Sequence, residues 1–299
     1  MVGLDLLSTG SSYALGSALV WGTFLFYFKR YFNEYPSTVA LVLTSSFGIA
    51  CYLPVTAYTV WSGTPLFPSA FSLTEIIFTL ITILIFSLAL LTFYHAVSTG
   101  AVSVVSPISK IHPVFIVPIE LFFLGTHVSV LQLFGIVLAT FAVYLANYSG
   151  DGLFVPIRKL ATFRPAQFGL LSAVLMALVN VSQRVLLHDI ALTPQVWVLI
   201  KNGGVALLFV PIAASKWSVD VRGNLGTFLI AGLFIATGEH LVALAYATIP
   251  ASVAAPLISL QAIIAVILGG LLLGEDHFTI RLFAALVAIF GIAFVTIPQ

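Results

Sequence analysis

The sequence has few charged side chains. Asp, Glu, Lys and Arg make up 7% of the 299 residues, whereas hydrophobic residues make up 61%. A water-soluble domain has about 25% charged residues, so this chain could not cover a soluble globule and is predicted to be an integral membrane protein. The net charge of +1 gives no reason to expect a nucleic-acid partner.

Cysteine and enzyme motifs are also scarce. Cys51 is the only cysteine, so an intramolecular disulfide is excluded, and its apolar surroundings favour an inert thiol. The motifs of zinc proteases, serine hydrolases and phosphate loops are missing. The six histidines have no metal-ligand spacing: His95, His112, His127, His188, His240 and His277. We therefore expect no enzyme, no metal site and no cofactor.

Long charge-free runs take up the chain instead, such as Tyr35–Thr74, Ile76–Ser109 and Leu121–Gly150. Each exceeds the roughly 20 apolar residues that one spanning helix needs. Because the runs do not alternate polar and apolar residues, a membrane barrel is excluded. The predicted fold is an all-α integral membrane protein with ten transmembrane helices, near 13–32, 37–60, 74–95, 101–123, 129–148, 168–188, 195–215, 225–247, 251–273 and 278–297.

The ten predicted helices form two sets of five. A polar linker, 149–167, separates a first repeat at 1–148 from a second at 168–299. At an offset of 149 residues, twelve of 46 positions beginning at Ala96 and Ala245 are identical. An odd number of spans makes the second copy enter the membrane from the opposite side. The repeats are therefore predicted to be inverted, as in many secondary transporters, whose substrates bind near the midplane between the halves.

The stretch Ser103–Glu120 is unusual for a spanning helix because it contains three prolines together with Lys110 and His112. A proline removes a helical hydrogen bond, and an ionisable group in hydrocarbon costs about 3 kcal/mol. In the second half, Ser252–Val266 is the counterpart of this stretch and keeps its first proline as Pro256.

Two dipeptides close the fourth and ninth predicted helices. Gly125–Thr126 follows Leu-Phe-Phe-Leu, and Gly274–Glu275 follows Leu-Leu-Leu. With these residues the chain resembles the EamA branch of the drug/metabolite transporter superfamily, where this spot is Leu-Leu-Gly-Glu with a proline thirteen residues before the Glu. The first half keeps that proline in His112–Pro113 but has Thr126 in place of the Glu. The second half keeps the Glu but has Gln261–Ala262, with alanine in place of the proline.

The resemblance implies a basket-like bundle of ten helices around a central cavity lined by spans 1, 3, 4, 6, 8 and 9. It implies substrates such as amino acids, drugs, nucleotide-sugars and sugar phosphates. In bacterial members export is common.

Lys110 is the foremost candidate for binding a substrate. At helical spacing it shares a face with Ser103 and Ser106, and Ser259 takes its place in the second half. Lys110 would attract a carboxylate or phosphate. The alternative is an internal ion pair, for example with Glu239, that only holds the helices together.

Four further residues are candidates for the cavity wall. Trp21 leads an aromatic stripe on the first helix that would either stack on a solute or only pack, and Tyr94 ends the third span. Asn180 lies with other polar residues on one face of the sixth span. Lys201 could bind an anion, but a structural pair is favoured because the resemblance places the seventh span outside the cavity.

Glu239 and His240 lie within the eighth span, and a carboxylate and an imidazole at that depth are typical of a proton relay. They are candidates for coupling transport to protons, together with His112. A structural hydrogen bond, a position at the membrane interface or pairing with Lys110 are the alternatives.

Membrane orientation stays open. Eight basic residues fall on the face opposite the termini, against Arg184 alone on the terminal face. The positive-inside rule puts that face in the cytoplasm, whereas relatives have cytoplasmic termini. The eight are Lys29, Arg30, Arg158, Lys159, Arg164, Lys216, Arg222 and Arg281.

The sequence thus predicts a multi-pass protein, expected in the plasma membrane, that exports small organic metabolites such as amino acids by alternating access. The alternatives are an uncoupled channel or facilitator, and a transporter of phosphorylated or nucleotide-linked sugars. An intramembrane enzyme would require Glu239, His240 and His112 to meet in one cavity. The expected partners are a small solute and the lipid bilayer, and a homodimer is left open.

Overall fold

The computed structural model describes residues 8–32, 34–69, 71–100, 105, 108–146, 154–217, 222–273 and 278–296, and these contain helices but no strand. A π-helical turn, Val185–Asp189, follows the helix that ends at Arg184, and a 3-10 turn, Arg222–Asn224, precedes the helix that begins at Leu225. The helices are α1 Thr9–Tyr31, α2 Ser37–Trp61, α3 Leu73–Thr99, α4 His112–Phe123, α5 Val130–Ala146, α6 Val155–Lys159, α7 Arg164–Arg184, α8 Pro194–Ala214, α9 Leu225–Thr248, α10 Ala251–Ser259, α11 Gln261–Leu273 and α12 Phe278–Val295.

The all-α prediction is confirmed, and each of the ten predicted spans overlaps at least one of these helices. The helices α4, α5 and part of α12 are apolar but shorter than a full span, so the number of ten spans stays a prediction. Six segments are long and apolar enough to cross a bilayer: Ser37–Trp61, Leu73–Thr99, Arg164–Asp189, Pro194–Ala214, Leu225–Thr248 and Ala251–Leu272.

The predicted linker is only partly irregular. It contains α6 and the first turn of α7, whereas residues 147–153 lie outside the described part. The domain limits at 148 and 168 stay predictions.

Large apolar side chains cover the outer surface of the bundle. Trp61 is 82% exposed and Phe122 is 81% exposed, and many Leu, Ile and Phe side chains on the outward helix faces are about half exposed. In water such a surface would aggregate, whereas bilayer hydrocarbon is its natural surrounding. The protein is therefore an integral, multi-pass membrane protein.

The two halves pack against each other in a repeated pattern. The fifth predicted span (α5) packs on the tenth (α12), and the second (α2) on the seventh (α8). The contact of the third with the sixth (α3 and α7) is repeated by that of the eighth with the first (α9 and α1). A two-fold relation between the halves produces this pattern.

Small residues allow the α5–α12 contact. A Cβ atom at Gly135 would lie 2.8 Å from the Gly291 carbonyl oxygen, and one at Gly291 would lie 2.7 Å from the Ala139 nitrogen. Membrane helices commonly approach each other through such residues, because packing takes the place of the hydrophobic effect between them.

The fourth and ninth spans are both interrupted, and the interruptions at Ile111 and Leu260 are 149 residues apart. Pro113 contributes to the first because it has no N–H to donate to the Ser109 carbonyl. The same two backbone hydrogen bonds, each between residues three positions apart, bridge each break. They join Ile111 N–H to Ile108 C=O (3.2 Å) and Val114 N–H to Ile111 C=O (3.0 Å), and Leu260 N–H to Leu257 C=O (3.2 Å) and Ile263 N–H to Leu260 C=O (2.9 Å).

Contacts between α4 and α10 show that these two helices run antiparallel. His112 Nε2 lies 3.5 Å from Ser259 Oγ, at the start of α4 and the end of α10. At the opposite ends, the Glu120 carboxylate accepts hydrogen bonds from the backbone N–H groups of Ala251 (2.6 Å) and Ser252 (2.9 Å). Glu120 is 0% exposed and thus caps the first turn of α10, whose N–H groups have no helical partner.

We predict that Glu120→Gln destabilises the fold by about 2 kcal/mol, because one oxygen that accepts a backbone N–H is replaced by an amide NH₂ that cannot accept. Thermal unfolding of the purified protein in detergent micelles measures the change. Glu34 is exposed on a loop, so Glu34→Gln is the matched control. Equal melting temperatures for the two variants would contradict the capping role.

Candidate functional site

A cavity of about 370 Å³ lies between the two halves. Its volume falls in the range of about 300–1,000 Å³ that is typical of small-molecule sites. The wall is built from α1, α2, α3, α7, α8, α9 and the two helix breaks. The resemblance implied spans 1, 3, 4, 6, 8 and 9, so α2 and α8, the second and seventh spans, line the cavity in addition.

Most of the predicted site residues line this cavity. His240 is not on its described wall, because its Nδ1 lies 2.6 Å from the Tyr52 hydroxyl on α2. Ser103 and Ser106 lie outside the described residues. Those that line the cavity are Trp21, Tyr94, Lys110, His112, Asn180, Glu239 and Ser259.

Lys201 and Glu239 form an ion pair inside the bundle. The Lys201 ammonium donates to the Glu239 carboxylate, and the two side chains are only 4% and 10% exposed. The Lys201 ammonium also lies 5.3 Å from the ring centroid of Phe86. The sequence-based alternative of a pair between Lys110 and Glu239 is wrong, since Glu239 pairs with Lys201 on α8 instead.

Gln183 on α7 steadies this pair. Its Oε1 accepts a hydrogen bond from the indole N–H of Trp197 at 3.0 Å and lies 3.4 Å from the Lys201 ammonium. Trp197 is completely buried. A network from Trp197 through Gln183 and Lys201 to Glu239 therefore connects α7, α8 and α9. Sequence reasoning missed the network, although a Lys, a Gln and a Glu within apolar runs indicate that partners exist.

Lys110 lies at the break in the fourth span and is partly buried. In the described part of the chain, its ammonium takes part in no ion pair. An unpaired ammonium at membrane depth costs about 3 kcal/mol. The described wall thus holds two lysines against one carboxylate, one net positive charge with His112 counted as neutral.

His112 links the two broken spans. Its Nδ1 lies 3.4 Å from the Ser109 carbonyl, and its Nε2 lies 3.5 Å from Ser259 Oγ. The polar groups at both breaks therefore converge on one side of the cavity, next to Lys110.

Aromatic side chains form another part of the wall. The ring of Trp21 meets that of Phe24 edge-on at 5.4 Å, and Phe28 continues the stripe along α1. Gly238 on α9 leaves room for the indole, because a Cβ atom there would lie 2.8 Å from Trp21 Nε1. The stripe both packs and lines the cavity.

The described residues contain no group of three His, Cys, Asp or Glu side chains that could hold a metal ion. Glu239, His240 and His112 do not meet in one cavity, since His240 contacts Tyr52 instead. The arrangement that an intramembrane enzyme would need is thus not present at these three residues.

We predict strongly non-additive effects at the buried ion pair. Lys201→Met or Glu239→Gln alone leaves one charge unpaired and should lower the free energy of unfolding by about 3–5 kcal/mol. The double variant removes both charges and should be close to the wild type. Chemical unfolding in detergent micelles measures the four proteins, and a double variant that loses the sum of the single effects would contradict the pairing.

Comparison with known proteins agrees with this architecture. One solved crystal structure of a protein, 13% identical in sequence, superposes with a TM-score of 0.76 over 96% of both chains, which shows the fold. No curated protein matches the sequence. The model of the EamA-like transporter family matches residues 8–148 and 164–297, one match in each half. Because these matches cover most of the chain, the protein belongs to the EamA-like transporter family, within the drug/metabolite transporter superfamily.

Proposed function

We propose that this family member is a secondary transporter that moves small organic metabolites by alternating access. Two inverted five-helix repeats would rock around the central cavity and open it to each side of the membrane in turn. The observation that carries the proposal is that Lys110, which has no acidic partner among the described residues, lies at the break of a spanning helix and lines a cavity between two related halves.

Helix breaks within a membrane support a solute site at this depth. Non-helical backbone is tolerated in the bilayer only where it is buried in protein or lines a cavity. In many transporters of inverted repeats, interrupted helices form the substrate site near the midplane. Here the two breaks bring Lys110, His112, Ser259 and Gln261 to the same cavity wall.

The solute proposed for this cavity carries an acidic group and an organic portion, with an amino acid as the sequence-based example. Lys110 would attract the carboxylate or phosphate, and Trp21 and its aromatic neighbours would contact the rest. Glu239, His240 and His112 are the candidates for proton coupling. Export across the plasma membrane is supported by the family resemblance alone.

Purified protein in liposomes should take up such a solute with saturation, and Lys110→Ala should lower the rate at least about tenfold, because a charged hydrogen bond to the solute is lost. A panel of radiolabelled amino acids, organic acids and sugar phosphates identifies the solute. Thermal stabilisation by each compound is a parallel readout, since a ligand of the folded state raises its apparent stability.

Lys216 is exposed beyond the end of α8, so Lys216→Ala is the control and should transport at the wild-type rate. Uptake that never saturates would favour an uncoupled channel or facilitator. Undiminished transport by a folded Lys110→Ala protein would remove Lys110 from the mechanism.

A further inference from the structure

We infer that the cavity selects a monoanion with an aromatic or apolar body and without an amino group, that is, an aromatic monocarboxylate rather than a zwitterionic amino acid. The inference rests on the proposed transport function and concerns the charge class of the solute.

The charge balance of the described cavity wall argues against a zwitterionic solute. An amino acid needs a cation for its carboxylate and an anion for its ammonium. Glu239 is the one carboxylate among the described lining residues, and Lys201 already holds it. Neutral oxygens on the wall, such as those of Ser259 and Asn180, can accept a hydrogen bond from an ammonium, but they do not offset its charge. An incoming ammonium would thus meet a wall of net positive charge.

The number of unpaired cations on the described cavity wall indicates the charge of the solute. Lys110 is the one cationic side chain of the described wall without an acidic partner. One carboxylate neutralises it, whereas a phosphate dianion would leave a negative charge unpaired in a low-dielectric site. Ser259 lies on the same wall, 3.5 Å from His112 Nε2, and its hydroxyl can rotate to donate a hydrogen bond to the second carboxylate oxygen.

The remaining wall fits an aromatic body. Aromatic solutes stack face-to-face or edge-on with protein rings at centroid distances of about 4.5–7 Å. Six aromatic side chains from α1 and α3 face the cavity: Trp21, Phe24, Phe28, Phe86, Phe93 and Tyr94.

Three compounds with one phenylethyl body separate the charge classes. At pH 7, 3-phenylpropanoate is an anion, L-phenylalanine is a zwitterion and 2-phenylethylamine is a cation. Isothermal titration calorimetry on the full-length protein in detergent should show 3-phenylpropanoate binding at least about tenfold tighter than L-phenylalanine, because the ammonium finds no charged partner. No heat of binding is expected for 2-phenylethylamine.

Two variants assign the preference to its residues. Lys110→Met should abolish binding of 3-phenylpropanoate, whereas the control Lys216→Met should leave it unchanged. Lys201→Met frees the Glu239 carboxylate and should shift the preference toward L-phenylalanine by about tenfold or more. If Lys201→Met fails to fold, the Lys110→Met result and the order of the three affinities still test the inference.

Binding of L-phenylalanine as tight as that of 3-phenylpropanoate would overturn the inference, and so would no binding of any of the three compounds. In either case, saturable transport of another solute in liposomes would leave the proposed function standing. Binding of 3-phenylpropanoate without transport of any solute would instead overturn the proposed function and retain the charge class.

Discussion

Backbone hydrogen bonding inside the bilayer is the constraint on which this structure depends. A spanning helix can be interrupted only where the freed N–H and C=O groups find partners or face a cavity. The breaks at Ile111 and Leu260 meet this requirement through matching hydrogen bonds between residues three positions apart. Residues before and after both breaks line the central cavity. The breaks therefore belong at the centre of the bundle, which the packing of the two halves encloses.

The scaffold is two-fold, but its charges are not. Lys110 corresponds to Ser259, and Glu120 corresponds to Gly269, at the offset of 149 residues. Among the described residues, Lys110 is thus the one ammonium on the cavity wall without an acidic partner. The buried Glu120 carboxylate caps α10, whereas the matching position in the second half is a glycine. Such asymmetry would hold an unsymmetric solute in one orientation while both halves keep the same helical frame.

Much of the fold could be predicted from local patterns. The second span was predicted at 37–60 and is the helix Ser37–Trp61, because apolar runs between polar breaks set helix length in a membrane. The prolines indicated an interruption in the fourth span. The ninth span is interrupted at the matching place although Ala262 replaces Pro113 there. That second break therefore depends on the contacts around it rather than on a proline at that position.

The sequence by itself determined the membrane location, the helices, the repeat and the side chains whose burial requires a partner. Only the tertiary structure decided the pairing: Lys201 rather than Lys110 holds Glu239, His240 contacts Tyr52, and Glu120 caps a helix 131 residues further on. Apolarity and proline act on the local chain, so they are visible in sequence. A charged side chain pairs with a partner that lies close to it in space, and that distance is set only when the helices pack.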